Sequence, residues 1–191
     1  RRQNGMTCDP KSQWISLESP REIFKSRVIT LCAENYKCLR TGAVHEFITC
    51  RSCDWVNIVA VTKQHELVLI RQFRHGTRET EWEIPGGCID RTDPSPVEAG
   101  IRELMEETGF AGKNARIIGR VHPNPALQGN YCYTVFVEEA ERVSDPHLEP
   151  TECIVTELVP EQKVREMMRS GTIEHGLVLN ALMFYFMEKS K

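Results

Sequence analysis

Glu103, Glu106 and Glu107 stand within two turns of a segment that reads as helix, with Arg102 directly before them. Residues three and four apart share a helix face, so Glu103 and Glu107 aim at one point with Glu106 beside them. Carboxylates crowded this closely repel one another unless a cation stands among them. Magnesium takes oxygen ligands and keeps waters and substrate oxygens in its shell. The spacing therefore suits a Mg2+ site, with Mn2+ as the alternative ion. Glu103 and Glu107 are the ligand candidates; Glu106 is either a further ligand or the group that orients Arg102. The competing reading is a solvated helix face, with i,i+4 pairs Glu98–Arg102 and Arg102–Glu106 worth roughly 0.2–0.5 kcal/mol each.

The elements that must position this helix are marked on both sides. Ser95 suits the cap, Pro96 the first helical position, and Glu98 completes a capping box. Gly109 suits the left-handed residue that ends the helix. Upstream, 56–62 and 67–73 read as apolar strands, and 81–85 leads into a Gly86-Gly87 turn. Downstream, 115–122 and 131–138 read as strands on either side of a loop rich in Pro and Asn, where substrate contacts are expected. A loop at 144–151, a strand at 153–159 and a helix at 161–169 follow. The last helix, 173–189, is apolar on most faces and should serve a core or a subunit interface. Residues 14–50 read as short strands at 14–17, 28–32, 36–40 and 44–50, with a turn at Thr41-Gly42. This stretch is too small to bury a core of its own. Residues 1–13 are expected to be a disordered or appended tail.

Composition narrows the function classes. The chain has 191 residues, 40% of them hydrophobic, which is ordinary for a globular protein. A net charge of −3 offers no attraction for nucleic acid or membrane surfaces. No apolar run is long enough to span a bilayer, and no secretory signal is legible. The chain opens on Arg1, which leaves room for an upstream segment. Of the eight cysteines, only Cys50 and Cys53 form a Cys-x-x-Cys pair. Reduced structural thiols in a cytoplasmic protein are the expectation, and a metal or redox role for Cys50 and Cys53 is the alternative. Arg71 and Arg74 close the strand before the Gly-Gly turn, where a guanidinium fork suits phosphate. Their alternative is ion pairing to Glu81 or Glu83. Trp14, Phe24 and Trp82 either stack on a base or fill the core. His122 and His175 read as packing or capping residues, and Asn124 and Asn130 either contact a sugar or shape their loop.

The run Pro85-Gly86-Gly87, then Arg102-Glu103-Leu104-Met105-Glu106-Glu107-Thr108-Gly109-Phe110, resembles the box of the Nudix hydrolase family. Its second half matches at every specified position. Its first half departs: five residues after Gly87 comes Asp93 where the family has Glu, and eight rather than seven residues then precede Arg102. In the family that Glu mainly supports the box, so metal chemistry is expected to survive while the bracing of this loop is in question. The stretches Val68–Arg74 and Glu81–Gly87, after an N-terminal β segment, resemble the ADP-ribose pyrophosphatase branch, as does Pro125, sixteen residues past Gly109. That branch often has Ser-Pro-Gly where this chain has Asn124-Pro125-Ala126.

The resemblance implies an α/β fold: a Nudix-type α/β/α sandwich with a mixed β-sheet (51–191), plus a small N-terminal β subdomain (14–50) exchanged between subunits of a homodimer. It adds the carbonyl of Gly86 to the metal ligands and implies a catalytic base from a late loop, where Glu152 is the first candidate and Glu149 the second. Arg102 is expected to support the carboxylates. Arg74, Arg71, Glu83, Pro125, Asn124 and Trp14 are the substrate-contact candidates. The implied reaction is hydrolysis of the diphosphate in ADP-ribose, to AMP and ribose 5-phosphate, or in a related nucleoside diphosphate sugar. The alternatives are a broad nucleotide-sugar hydrolase, a non-catalytic nucleotide-sugar sensor, a nucleoside triphosphate hydrolase and an RNA cap hydrolase. The intact carboxylates argue against the sensor, the N-terminal segment and Pro125 against the third, and the acidic charge against the last.

Overall fold

The structure, a computed structural model, describes residues 9–189. They form two compact units, one of residues 9–52 with Asn124–Gly129, the other of Cys53–Pro123 with residues 130–189.

In the first unit a 3-10 turn, Pro10–Gln13, precedes strands β1 (Trp14–Ser16), β2 (Arg21–Lys25), β3 (Thr30–Cys38) and β4 (Val44–Arg51). All pair antiparallel on β3, with β1 and β2 sharing one edge (Trp14 opposite Cys38, Arg21 opposite Ala33) and β4 on the other (Thr30 opposite Arg51). Two separate strands, 28–32 and 36–40, were expected where β3 runs unbroken. The polar Glu34-Asn35 pair that suggests a break is held extended because β4 pairs with it throughout. Strand β2 escaped the sequence reading because charged residues bound its two apolar ones. Part of the expected 1–13 tail lies outside the described residues, and Pro10–Gln13 is ordered as the 3-10 turn, with the Asp9 side chain accepting from the Lys11 N–H. The segment Asn124–Gly129 joins this unit through the Cys50 N–H, which donates to the Leu127 carbonyl at 2.7 Å.

The second unit carries β5 (Trp55–Ala60), β6 (Glu66–Arg74), β7 (Glu79–Glu83), β8 (Gly86–Cys88), α1 (Pro96–Thr108), β9 (Phe110–Val121), β10 (Cys132–Arg142), β11 (Ile154–Pro160), α2 (Glu161–Ser170) and α3 (Gly176–Glu188). A mixed sheet runs β8-β5-β10-β9, with β5 and β10 parallel, and an antiparallel sheet runs β11-β6-β7. Side chains alternate across a strand, and β5 uses both faces. Val56, Ile58 and Ala60 join Ala99 and Leu104 of α1 in one core, while Val59 joins Leu182 and Tyr185 of α3 in a second. That two-sided burial is the α/β/α sandwich. Among the described residues no helix is long and apolar enough to cross a membrane.

Two local features set up the site. The expected Gly-Gly turn is instead the edge strand β8, with Gly87 opposite Val56 and Gly86 opposite Asn57. A glycine pair has little strand preference of its own, so this strand exists because β5 supplies its ladder. Helix α1 begins and ends where its caps require. Ser95 accepts from the Glu98 N–H at 3.2 Å, and Gly109 closes the helix at φ 72°, donating to the Met105 carbonyl. A Cβ at Gly109 would strike the Ser144 carbonyl, so this position requires glycine for its conformation and its space alike.

Candidate active site

Pairing of β8 with β5 brings the Gly86-Gly87 backbone against the carboxylate face of α1. The Glu107 carboxylate accepts from the Gly86 N–H at 2.9 Å and is almost fully buried. Burial, reinforced by the charges of Glu103 and Glu152, pushes its pKa up to about 8, against the lowering effect of the Gly86 N–H and Arg74. Glu103 is likewise pushed up to about 7, first by burial, with Glu106 and Glu152 adding to it and Arg102 opposing. Glycine at 87 is what admits Glu103: a Cβ there would lie 2.5 Å from its Oε1. Two acidic groups raised this far by burial and mutual repulsion mark a place where positive charge is missing.

Arg102 supplies part of that charge. Its Nη1 donates to Glu103 at 3.0 Å and to Glu106 at 2.9 Å, and its Nη2 reaches the Cys88 carbonyl at 3.2 Å. The other edge of the guanidinium binds Asp93 through Nε at 3.1 Å and Nη2 at 2.9 Å. Arg102 in turn holds the Asp93 carboxyl below its usual range, while its own pKa is raised chiefly by Asp93. The Asp90 N–H also donates to Asp93 at 2.8 Å, closing the loop on itself. The box loop is therefore braced despite its extra residue, by a shorter carboxylate at the position counted from Gly87. Asp93 was visible in the sequence only as a departure from a pattern; its bidentate pairing is a structural finding.

Among the described residues no three Asp, Glu, His or Cys side chains converge closely enough to enclose a metal ion on their own. The donors present are nonetheless hard oxygens on buried carboxylates with too little compensating charge, which fits Mg2+ or Mn2+ completing its shell with water and substrate. The linkage has a definite sign. Both glutamates titrate higher folded than unfolded, so they stabilise the fold below about pH 4.5 and that stability is lost as pH rises through about 7 to 8. Metal-free protein should therefore unfold at a lower temperature at about pH 8.5 than at about pH 5.5, with magnesium restoring the loss and Glu107→Gln flattening it. A metal-free melting profile equal in wild type and Glu107→Gln across that range would exclude the effect.

The loop that carries Glu149 and Glu152 is tied to α1. The His147 N–H donates to the Glu106 carbonyl at 2.7 Å, and the Val143 N–H to the Gly109 carbonyl at 2.9 Å. Glu152 lies near enough to raise the pKa values of Glu103, Glu107 and Arg74. The Glu149 N–H donates to the Glu152 carboxylate at 2.9 Å. The two strand arginines are already paired. Arg74 grips buried Glu83 bidentately through its Nε–Nη2 edge (2.6 and 2.7 Å), while Arg71 pairs with Glu157 at 2.8 Å and lies over the Trp82 ring. Asn130 shapes its loop through the Cys53 carbonyl at 3.0 Å, and His122 stacks on Tyr131. Trp14, Asn124 and Pro125 belong to the first unit, where the half-exposed Trp14 meets Phe47 edge-on. The described cysteines are all free thiols. Cys53 hydrogen-bonds Cys88.

The second unit's two sheets and flanking helices have a counterpart among solved structures. A crystal structure of an ADP compounds hydrolase superposes with a TM-score of 0.79 over 91% of this chain and 92% of that one. At 22% identity that likeness speaks for the fold alone. The family model described as NUDIX domain matches residues 54–177, so the chain belongs to the NUDIX family. An ADP-ribose pyrophosphatase of Bacillus subtilis is 28% identical over 118 residues, covering 62% of this chain and 63% of its own length. A CMP-5'-(N-acetyl-N-hydroxy-3-aminopropyl)phosphonate hydrolase of Streptomyces rubellomurinus is 27% identical over 89% of this chain and 81% of its own. The mouse ADP-sugar pyrophosphatase is 35% identical over a shorter stretch, 46% of this chain and 41% of its own.

Proposed function

We propose that this chain hydrolyses the diphosphate of nucleoside diphosphate sugars, with ADP-ribose as the leading substrate, giving AMP and ribose 5-phosphate. The observation that carries this reading is the pair of buried, charge-deficient carboxylates, Glu103 and Glu107, on the helix face against Gly86 and Gly87. Two relatives named for ADP-ribose and ADP-sugar cleavage support the substrate class. Glu103 and Glu107, with Glu106 and the Gly86 carbonyl, would hold Mg2+ or Mn2+. The bound ion would neutralise the diphosphate and favour formation of a nucleophile from water. Glu152 takes a proton from the attacking water, whose oxygen forms a bond to phosphorus as the bridging P–O bond breaks and the second phosphate leaves. Arg102 keeps Glu103 and Glu106 in register without touching substrate. Arg74, 42% exposed along its side chain, keeps Glu83 on its Nε–Nη2 edge and can offer Nη1 to a phosphate. The active form is read as a cytoplasmic homodimer. Ile15, Ile23, Phe24 and Phe47 of the N-terminal sheet are exposed, the kind of apolar surface a second copy covers.

Purified protein with magnesium or manganese should release AMP from ADP-ribose, with Glu152→Gln lowering the rate more than Glu149→Gln. Comparable cleavage of several nucleoside diphosphate sugars moves the assignment to a broad nucleotide-sugar hydrolase. Binding without cleavage of any of them rejects the enzyme in favour of a sensor. A single-chain mass by light scattering removes the homodimer.

A further inference from the structure

Cys53, half of the Cys-x-x-Cys motif, stands beside Cys88 at the end of β8. Cys53 is exposed, Cys88 is half-buried, and the two side chains hydrogen-bond. The backbone explains the meeting. Trp55 lies opposite Cys88, and the Ile89 N–H donates to the Asp54 carbonyl at 2.9 Å, which carries the β5–β8 ladder one residue further. Cys53 is therefore the diagonal neighbour of Cys88, and the alternation of side chains puts both on one face.

The two thiols are anchored differently. Cys53 is fixed from the β10 side. Its carbonyl accepts from Asn130 Nδ2 at 3.0 Å, the Asp54 carboxylate accepts from the Tyr131 N–H at 2.7 Å, and the Trp55 N–H donates to the Tyr131 carbonyl at 2.8 Å. Cys88 ends a three-residue edge strand whose ladder runs to β5. The other bonds on that strand belong to the candidate active site. The Cys88 carbonyl accepts from Arg102 Nη2 at 3.2 Å, and the Gly86 N–H donates to Glu107 at 2.9 Å. Diagonal neighbours in a regular ladder stand about 7–8 Å apart, whereas a disulfide brings its two Cα atoms to about 4.4–6.8 Å.

We infer that Cys53 and Cys88 form a peroxide-sensitive dithiol whose disulfide draws β8 along β5, away from Arg102 and Glu107, and switches the site off. The bond stands on the thiol geometry alone; the loss of activity rests on the function proposed above. Hydrogen peroxide oxidises the exposed Cys53 thiol to a sulfenic acid as its O–O bond breaks, and one water leaves. The Cys88 sulfur then attacks the Cys53 sulfur. The S–S bond forms, the sulfenic hydroxyl departs, and the Cys88 proton leaves with it as a second water. Two thiols and one peroxide thus give one disulfide and two waters, and a thiol reductant restores the pair. Such a reversible bond suits a reducing compartment, where disulfides serve as signals and not as staples.

The test treats wild type, Cys53→Ser and Cys88→Ser with hydrogen peroxide and maps their digests by mass without reductant. Wild type should yield a Cys53–Cys88 cross-linked peptide, lighter by two hydrogens than its two parts, that dithiothreitol removes and both variants lack. Oxidised wild type should cleave ADP-ribose at least about tenfold more slowly than reduced protein, with recovery in dithiothreitol, while Cys53→Ser keeps its rate through the treatment. A bond between Cys50 and Cys53 instead, or no bond, overturns the switch. So does a Cys53–Cys88 bond that leaves the rate unchanged, or a loss of rate that Cys53→Ser shares. If reduced wild type cleaves no nucleoside diphosphate sugar, the proposed function fails, and the rise in melting temperature with magnesium replaces the rate. A rise in reduced protein that oxidation abolishes supports the switch; equal or absent rises overturn it.

Discussion

Glu107→Gln is expected to lower kcat by roughly 10²- to 10⁴-fold, the equivalent of several kcal/mol of charge stabilisation at the reacting diphosphate, while the protein stays folded. Glutamine has the same shape and its carbonyl oxygen still accepts from the Gly86 N–H, now at 2.9 Å from the carboxylate. What changes is charge. The carboxyl is pushed up to about 8 first by burial and then by the charges of Glu103 and Glu152, so a neutral amide there avoids the cost of a buried charge and relieves that repulsion. The variant should therefore melt at or above the wild-type temperature in metal-free buffer at about pH 8.5, where the wild-type group is ionised, even as activity collapses. Opposite movements of stability and activity are the signature of a residue held in an unfavourable state for function. Turnover near wild type at saturating magnesium would remove Glu107 from the metal site, and a variant that loses both activity and fold would assign it a structural role.

Arg102→Ala is the second large effect, and here both quantities fall. The guanidinium binds Asp93, Glu103, Glu106 and the Cys88 carbonyl at once, and 71% of its side-chain surface is covered, since 29% is exposed. Its removal leaves three carboxylates without their shared partner. Breaking a fully buried pair costs about 3–5 kcal/mol; the partial exposure here lowers the expectation to roughly 2–3 kcal/mol. Urea unfolding in the absence of metal measures it. Magnesium should recover part of the loss, since a cation bound only to the folded state stabilises it. Arg102→Lys should restore little, because a single ammonium cannot serve Asp93 bidentately while reaching Glu103 and Glu106. A loss below about 0.5 kcal/mol would mean that the network is solvated and carries no load, as isolated surface pairs do.

How far the sequence could be read depended on the range of the interaction that decides each feature. Helix α1 runs Pro96–Thr108 because its signals are local: Ser95, Pro96 and Gly109 act within one turn of its ends. The strands β5, β6 and β11 are likewise evident from their own apolar residues. Strand β8 was not, because glycines carry no such signal and its ladder comes from β5, some thirty residues earlier in the chain. Strand β3 read as two for the same reason, its polar centre being held by β4. The pairing of Asp93 with Arg102 needed a loop count to be replaced by a geometry. Arg74 and Arg71 were legible as arginines near a phosphate-sized turn; that each is already paired, with Glu83 and Glu157, is a matter of neighbouring strands.

The sequence by itself determined that three carboxylates would share one capped helix following a Gly-Gly segment, because helix periodicity and capping are properties of contiguous residues. With them came the family, whose pattern is written in the same contiguous stretch. Only the tertiary structure decided how those carboxylates are charged, since burial against β8 and the approach of Glu152 raise Glu103 and Glu107. It also decided that Asp93 braces the lengthened loop, and that Asn57 and His175, far apart in sequence, line one cleft. Desolvation and long-range pairing depend on where the rest of the chain packs, and no local pattern encodes them.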